Sequence, residues 1–253
     1  MAKKAIGIDI GGTGIKGALV DTKSGSLVSD RVRYETPAGG EPKDIAAVVA
    51  KLIDALPGVS RSMPVGICFP AVVQHGTTLS AANVAKSWIG LDADSLFETS
   101  LQRSVHVLND ADAAGLAEMR FGAGKGKKGL VIMTTLGTGI GTALFINGQL
   151  VPNAELGHLE IGGVDYETKA SFAAKERENL DWDQWAERLQ TYYSKIEALF
   201  TPDLIIVGGG VSKQHEQFLP KLSLRAPIVP AQKRNSAGIL GAAAEALNRH
   251  RDD

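Results

Sequence analysis

Two short segments of the chain carry glycine and threonine in nearly the same order. Gly12-Thr13-Gly14-Ile15-Lys16-Gly17-Ala18-Leu19 and Gly137-Thr138-Gly139-Ile140-Gly141-Thr142-Ala143-Leu144 agree at six of eight positions, each between two strand-like runs. A turn built this way exposes amide N–H groups and a hydroxyl, which together can wrap an anion. Two such turns, at Gly12, Thr13, Gly14 and at Gly137, Thr138, Gly139, could grip one phosphate chain from both sides. Each also suits a plain hairpin that needs glycine for its conformation alone. Asp9, just before the first turn, would repel phosphate but suits a Mg²⁺ ion held through water.

A third glycine feature follows an apolar run, Leu204-Ile205-Ile206-Val207, and consists of Gly208, Gly209 and Gly210. Three glycines there admit a flat ligand or a phosphate close to the backbone, or else a tight strand-helix corner. Asn109 and Asp110 lie where a short strand opens a helix. Either suits an N-cap, but a carboxylate at the carboxyl end of a strand in an α/β sheet also faces the ligand crevice. Such a group can take the proton of a hydroxyl acceptor in phosphoryl transfer. Glu155, His158 and Glu160 fall within six residues of a loop. Clustered Asn, Asp, Glu and His is the lining expected around a polyhydroxyl ligand, each of whose hydroxyls needs a partner. A closed tetrahedral metal site is the rival, and the single distant cysteine, Cys68, leaves it short of ligands.

The elements that hold these residues read as two successive α/β halves. Strands are expected at Ala5–Ile10, Ile15–Val20 and Leu27–Tyr34, then a helix at Pro42–Leu56 from the spacing of Ile45, Val49, Leu52 and Leu56. A strand at Pro64–Phe69, a long polar loop, a strand at Val105–Leu108 and a helix at Ala111–Phe121 complete the first half. The second half has strands at Leu130–Thr135 and Ile140–Ile146, an Asn147-Gly148 hairpin signal into Gln149–Val151, and helices at Tyr166–Arg177 and Trp182–Phe200. Strands at Leu204–Val207 and Pro227–Val229 and a last helix from Ser236 to about Asn248 follow. Cys68, inside the apolar run Val65–Phe69, reads as a small core residue.

This order excludes two common nucleotide folds. Gly12–Gly17 matches G-x-G-x-x-G, but a dinucleotide fingerprint needs a helix directly afterwards, whereas Ile15–Val20 reads as a strand. No G-x-x-x-x-G-K-[ST] segment exists in the chain. The 253 residues are 44% hydrophobic, enough for one large domain or two small ones. With 27 Lys+Arg against 28 Asp+Glu the net charge is -1, so no global field draws nucleic acid or an anionic membrane, and an anion must be held locally. The start, Met1-Ala2-Lys3-Lys4, leads straight into a strand without a signal-peptide apolar region, and no stretch approaches a membrane span. A cytoplasmic monomer or homodimer is expected.

Asp9-Ile10-Gly11-Gly12-Thr13, Leu108-Asn109-Asp110-Ala111, Leu136-Gly137-Thr138-Gly139-Ile140-Gly141 and Glu155-Leu156-Gly157-His158, in that order, resemble the ROK sugar kinases. Each motif is weak alone, and the ordered set covers nearly the whole chain. The resemblance implies the two-lobed actin-like ATPase fold of the hexokinase and ribonuclease H kind, with a central cleft. Residues 1–108 and the helix 236–253 would form one lobe and 109–235 the other. It implies ATP or a related phosphoryl donor, Mg²⁺, Asp110 as general base, and sugar contacts from Asn109, Glu155, His158 and Glu160. Asp9, Gly11, Gly12, Thr13, Gly14, Lys16, Gly137, Thr138 and Gly139 would attend the phosphates, with Gly208, Gly209 and Gly210 beside the donor.

Most ROK members carry a cysteine-rich zinc loop after the Gly-His pair; here the stretch reads Ile161-Gly162-Gly163-Val164-Asp165-Tyr166-Glu167, so no zinc is expected. That departure, with Asn83-Val84-Ala85-Lys86-Ser87-Trp88-Ile89-Gly90, is similar to the bacterial polyphosphate glucokinases, including the type that also accepts ATP and mannose. The implied function is transfer from polyphosphate or ATP to the 6-hydroxyl of glucose. A zinc-free ATP-only hexose or acetylhexosamine kinase would share every motif. A sugar-responsive repressor would need a DNA-binding segment ahead of Asp9. Lys125, Lys127 and Lys128, on a loop expected to be flexible, read either as a solvated surface or, with Lys86 and Lys16, as a path for a long polyanion.

Overall fold

The first strand, β1 (Lys4–Ile10), is apolar and buried over most of its length and folds back on β2 (Ile15–Asp21), with Ile10 opposite Ile15. These belong to a computed structural model that describes residues 4–82 and 84–252. Two short strands, β3 (Ser26–Leu27) and β4 (Val32–Tyr34), pair with β2 where the sequence suggested one strand, Leu27–Tyr34. The Ser29 hydroxyl accepts the Leu19 N–H at 3.0 Å, which takes the chain out of the ladder between them. Helix α1 (Pro42–Asp54) starts on proline and buries Ile45, Val49, Leu52 and Ile53 along one stripe. Strand β5 (Val65–Phe69), buried throughout, lies parallel to β1.

After a small hairpin, β6 (Val73–Gln74) and β7 (Thr77–Thr78), the chain forms α2 (Ala93–Leu101) inside what the sequence suggested was a polar loop. Only Ala93 and Phe97 of α2 are buried, so its apolar period is faint. Its start is set by Asp92, whose carboxylate accepts the Ser95 N–H at 2.9 Å. Strand β8 (Val105–Asn109) runs parallel to β5 and leads directly into α3 (Asp110–Phe121). The sheet order is β3-β2-β1-β5-β8, with β4 beside β2.

A second sheet begins with β9 (Leu130–Leu136) and β10 (Ile140–Ile146), antiparallel, followed by β11 (Gln149–Val151). Asn147 and Gly148 both take positive φ, as the hairpin signal required. Next come the two-residue strands β12 (Glu160–Ile161) and β13 (Val164–Asp165), then α4 (Glu167–Ala170) and α5 (Phe172–Arg177). The sequence suggested one helix from Tyr166 to Arg177. Ser171 breaks it by turning extended and accepting the Ala174 N–H at 3.2 Å as a new cap. Helix α6 (Trp182–Phe200) opens on a reciprocal cap between Asp181 and Gln184. Strand β14 (Leu204–Gly208) lies between β9 and β15 (Ile228–Pro230), giving the order β11-β10-β9-β14-β15. Ile132, Ile205 and Val207 share one core with Trp185, Leu189 and Tyr193 of α6.

The last helix, α7 (Ala237–Asp252), returns to the first sheet and packs on β1, β5 and β8. Its approach depends on small residues: a Cβ at Gly7 would run into the Ile239 carbonyl, and one at Gly66 into that of Ala242. By its contacts the chain divides into Met1–Ala117 with Ser236–Asp253, and Glu118–Asn235. Asn83 lies outside the described residues, as do residues 1–3 and 253. Among the described residues no helix is long and apolar enough to cross a membrane.

Candidate active site

In the first unit, three parallel strands bring their carboxyl ends side by side. Asp9 of β1 registers with Cys68 of β5, which registers with Leu108 of β8, next to Asn109 and Asp110. The Asp9 carboxylate is held on both oxygens: Lys16 Nζ donates to Oδ2 at 3.5 Å and the Cys68 thiol to Oδ1 at 3.6 Å. Burial, with the charges of Asp9 and Asp110, pushes the Cys68 thiol well above its ordinary pKa, so it stays a donor. Cys68 is buried as expected of a core residue.

Asn109 is buried and caps α3. Its Oδ1 accepts the N–H of Ala111 at 2.8 Å and of Asp112 at 3.1 Å, and its Nδ2 donates to the Ala71 carbonyl at 3.0 Å. The cap thus falls to Asn109. Asp110 is exposed, with Oδ1 on the Ala111 N–H at 2.8 Å, so its carboxylate stands at the helix N-terminus within reach of a ligand.

The first glycine turn spans Gly11 to Gly14, closed by Gly11 N–H on the Gly14 carbonyl at 3.1 Å. Arg33 braces it from β4, donating to the Thr13 carbonyl at 3.2 Å, and Thr36 donates to the Gly11 carbonyl at 2.5 Å. A Cβ at Gly14 would come 2.8 Å from Arg33 Nε, so glycine there makes room for the guanidinium. Arg33 was not singled out from the sequence. Only the β2–β4 register, Lys16 opposite Arg33, carries it to the turn.

In the second unit the matching turn is closed by Leu136 pairing with Ile140, and the Gly137 N–H donates to the Gly139 carbonyl at 3.0 Å. Glu167 sits behind it, its carboxylate accepting the Ile140 N–H at 2.7 Å. Two of the amides around this turn are therefore engaged inside the protein, which leaves Thr138 and its hydroxyl at the tip. Gly209, at positive φ, lies against the backbone of Leu136, so the triple glycine and the second turn are neighbours. A Cβ at Gly137 or Gly210 would meet open space, and neither has positive φ. The fold itself does not demand glycine at these two positions, which fits close approach of a ligand.

The Glu155–Glu160 segment packs on the first residues of β10. A Cβ at Gly157 would run into the Ile140 carbonyl, Leu156 N–H donates to Thr142 Oγ1 at 3.0 Å, and Tyr192 donates to the Leu156 carbonyl at 3.1 Å. A single 3-10 turn, Leu156–His158, and β12 replace the expected loop. His158 Nδ1 lies 2.8 Å from Asp165 Oδ2. That hydrogen bond, partly offset by burial and aided by the charges of Glu167, Asp165 and Glu155, raises the His158 pKa. Glu155 is exposed as a residue, yet burial of its carboxyl, with the charge of Glu167, raises its pKa too, against the opposing pull of His158. Glu160 registers opposite Asp165 across the β12–β13 hairpin. Glu155, His158, Asp165 and Glu167 thus form one acidic cluster around an imidazole, beside the second turn.

The profile described as the ROK family matches residues 5–174. The chain belongs to the ROK family. It is 45% identical over 242 residues to the polyphosphate glucokinase of Mycobacterium tuberculosis, covering 95% of this chain and 90% of that one. The crystal structure of the inorganic polyphosphate/ATP-glucomannokinase from Arthrobacter sp. strain KM superposes with a TM-score of 0.92 at 55% identity, covering 98% of this chain and 99% of that one. A ROK family glucokinase from Streptomyces griseus, in complex with glucose and AMPPNP, has a TM-score of 0.83 at 26% identity over 97% of this chain and 99% of its own. These likenesses give the chain the actin-like ATPase fold class of ROK sugar kinases.

Lys125, Lys127 and Lys128 are all exposed, on a run of hydrogen-bonded turns where a flexible loop was expected. Buried Glu118 pins that run by accepting the Ala123 N–H at 2.8 Å and, from the other side, the Lys233 N–H at 2.6 Å. Lys127 lines a cavity of about 590 Å³ together with Arg234, Gln232, Leu204 and Val229. Lys86 Nζ donates to the Ala81 carbonyl at 2.7 Å. Among the described residues, no three His, Cys, Asp or Glu side chains converge as a metal cage.

Proposed function

We propose that this chain transfers a phosphoryl group from inorganic polyphosphate or ATP to the 6-hydroxyl of glucose, with mannose as a second acceptor, in the cytoplasm. The observation that carries this reading is its 55% identity, over 98% of the chain, to the Arthrobacter polyphosphate/ATP-glucomannokinase.

Asp110 is the general base, since its carboxylate stands exposed at a strand end and can take the proton of an incoming hydroxyl. Glu155, His158 and Glu160 pair with sugar hydroxyls, and Asn109 contributes through its remaining amide hydrogen. The turns at Gly11–Gly14 and Gly137–Gly139 receive the donor phosphates with Lys16, and Gly208, Gly209 and Gly210 flank the donor. Asp9 is a hard oxygen ligand, part-exposed at the carboxyl end of β1, which fits Mg²⁺ held by one carboxylate, waters and donor oxygens. When bound there, Mg²⁺ neutralises charge on the transferring phosphates.

The test is a matrix of polyphosphate and ATP against glucose, mannose, fructose and N-acetylglucosamine, reading sugar 6-phosphate. Glucose phosphorylation by both donors is expected. ATP without polyphosphate would favour the ATP-only hexose kinase reading, and N-acetylglucosamine as best acceptor an acetylhexosamine kinase.

A further inference from the structure

We propose that Asp165 is a positioning residue for His158: it holds the Nδ1 proton and so presents Nε2 to the sugar. This rests on the reading of His158 as a sugar contact. A carboxylate only accepts hydrogen bonds, so its contact with the imidazole requires the proton on Nδ1. That contact, Asp165 Oδ2 to His158 Nδ1, measures 2.8 Å. Asp165 is itself held firmly. Its Oδ1 accepts the Glu167 N–H at 3.2 Å and its carbonyl accepts the Thr168 hydroxyl at 2.6 Å. The hairpin that delivers it turns on Gly162 and Gly163, both at positive φ. Glycine adopts such a pair of conformations without strain.

The same contact links two parts of the site. Glu167, next to Asp165, holds the Ile140 N–H behind the second glycine turn. His158, Asp165, Glu167 and Ile140 therefore form a continuous chain from the sugar loop to that turn. The charged groups facing His158 are Glu155 on its own segment, Asp165 on β13 and Glu167 on α4, all acids. They favour the imidazolium, so His158 keeps its charge to higher pH than an ordinary histidine. The His158 and Asp165 side chains are 55% and 41% exposed. An ion pair this open adds little stability, so its expected effect is on orientation and titration.

Asp165→Asn preserves the shape while removing the charge and allowing the amide to accept or donate. Imidazole NMR of the five histidines, with His158 assigned by its loss in His158→Gln, reads tautomer and titration directly. In the parent, neutral His158 should be the Nδ1–H form and should titrate above the ordinary imidazole range. In Asp165→Asn the titration should move down, both tautomers should appear, and KM for glucose should rise on the order of 10-fold with a smaller change in kcat. The unfolding midpoint should stay put. An unchanged His158 spectrum, or an unchanged glucose KM while His158→Gln raises it, would overturn the proposal alone. A normal glucose KM in His158→Gln would overturn both the proposal and the reading beneath it.

Discussion

The Glu167 carboxylate accepts the backbone N–H of Ile140 at 2.7 Å, directly behind the Gly137–Gly139 turn. A charged acceptor on a backbone amide is among the stronger hydrogen bonds a protein makes, and here it fixes where the turn ends and β10 begins. Glu167→Ala should lower kcat/KM for the phosphoryl donor about 10- to 100-fold. Steady-state kinetics with varied donor checks this. A fall in melting temperature with unchanged donor kinetics would reduce Glu167 to a structural role.

Asp110→Asn keeps the helix start, which Asn109 caps, and removes the proton acceptor. We expect kcat to fall at least about 100-fold with glucose affinity largely retained. Kinetics together with equilibrium glucose binding decide the matter, and near-normal turnover would exclude Asp110 as the base.

Gly66→Ala should be costly although it adds one methyl group, because its Cβ would meet the Ala242 carbonyl and lift α7 off β5. A loss of about 2–4 kcal/mol in urea unfolding is expected. The Cβ of Gly137→Ala would instead meet open space. That variant should keep stability within about 1 kcal/mol of the parent while weakening donor binding.

Replacing Lys125, Lys127 and Lys128 together by Ala should raise KM for long polyphosphate far more than for ATP, leaving glucose KM unchanged. The polyphosphate effect should shrink as salt rises, since contacts with a polyanion release counterions. Equal effects on both donors, or none on either, would remove these lysines from the donor path.

Much of this architecture was legible because strands and hairpins announce themselves locally. β1, β2, β9 and β10 followed from apolar β-branched runs, and Asn147-Gly148 from its turn chemistry. Helix α2 was not, since two buried residues leave hardly any period and Asp92 alone marks its start. The break at Ser171 was missed for a similar reason: a single hydroxyl cap outweighed the run of helix formers. Of the site, the glycine turns and the Glu155–Glu160 segment could be read as clusters along the chain. Arg33, Asp165 and Glu167 could not, because each reaches the site through register or a tertiary bend. Gly162-Gly163 was the available signal for Asp165: a two-glycine turn fixes which residues face each other, here Glu160 and Asp165.

Helix α7 covers a sheet whose strands were all made long before it. Roughly 130 residues separate the end of β8 from the start of α7. At about 5–20 residues per second, a ribosome would expose the face of β1, β5 and β8 that α7 covers, with Gly7 and Gly66 on it, for on the order of 10 seconds before its cover emerges. The segment Glu118–Asn235 meets no such delay, since all its strands are consecutive in synthesis. The first sheet is therefore where a chaperone would be needed during translation, and where a nascent chain stalled before residue 237 would aggregate.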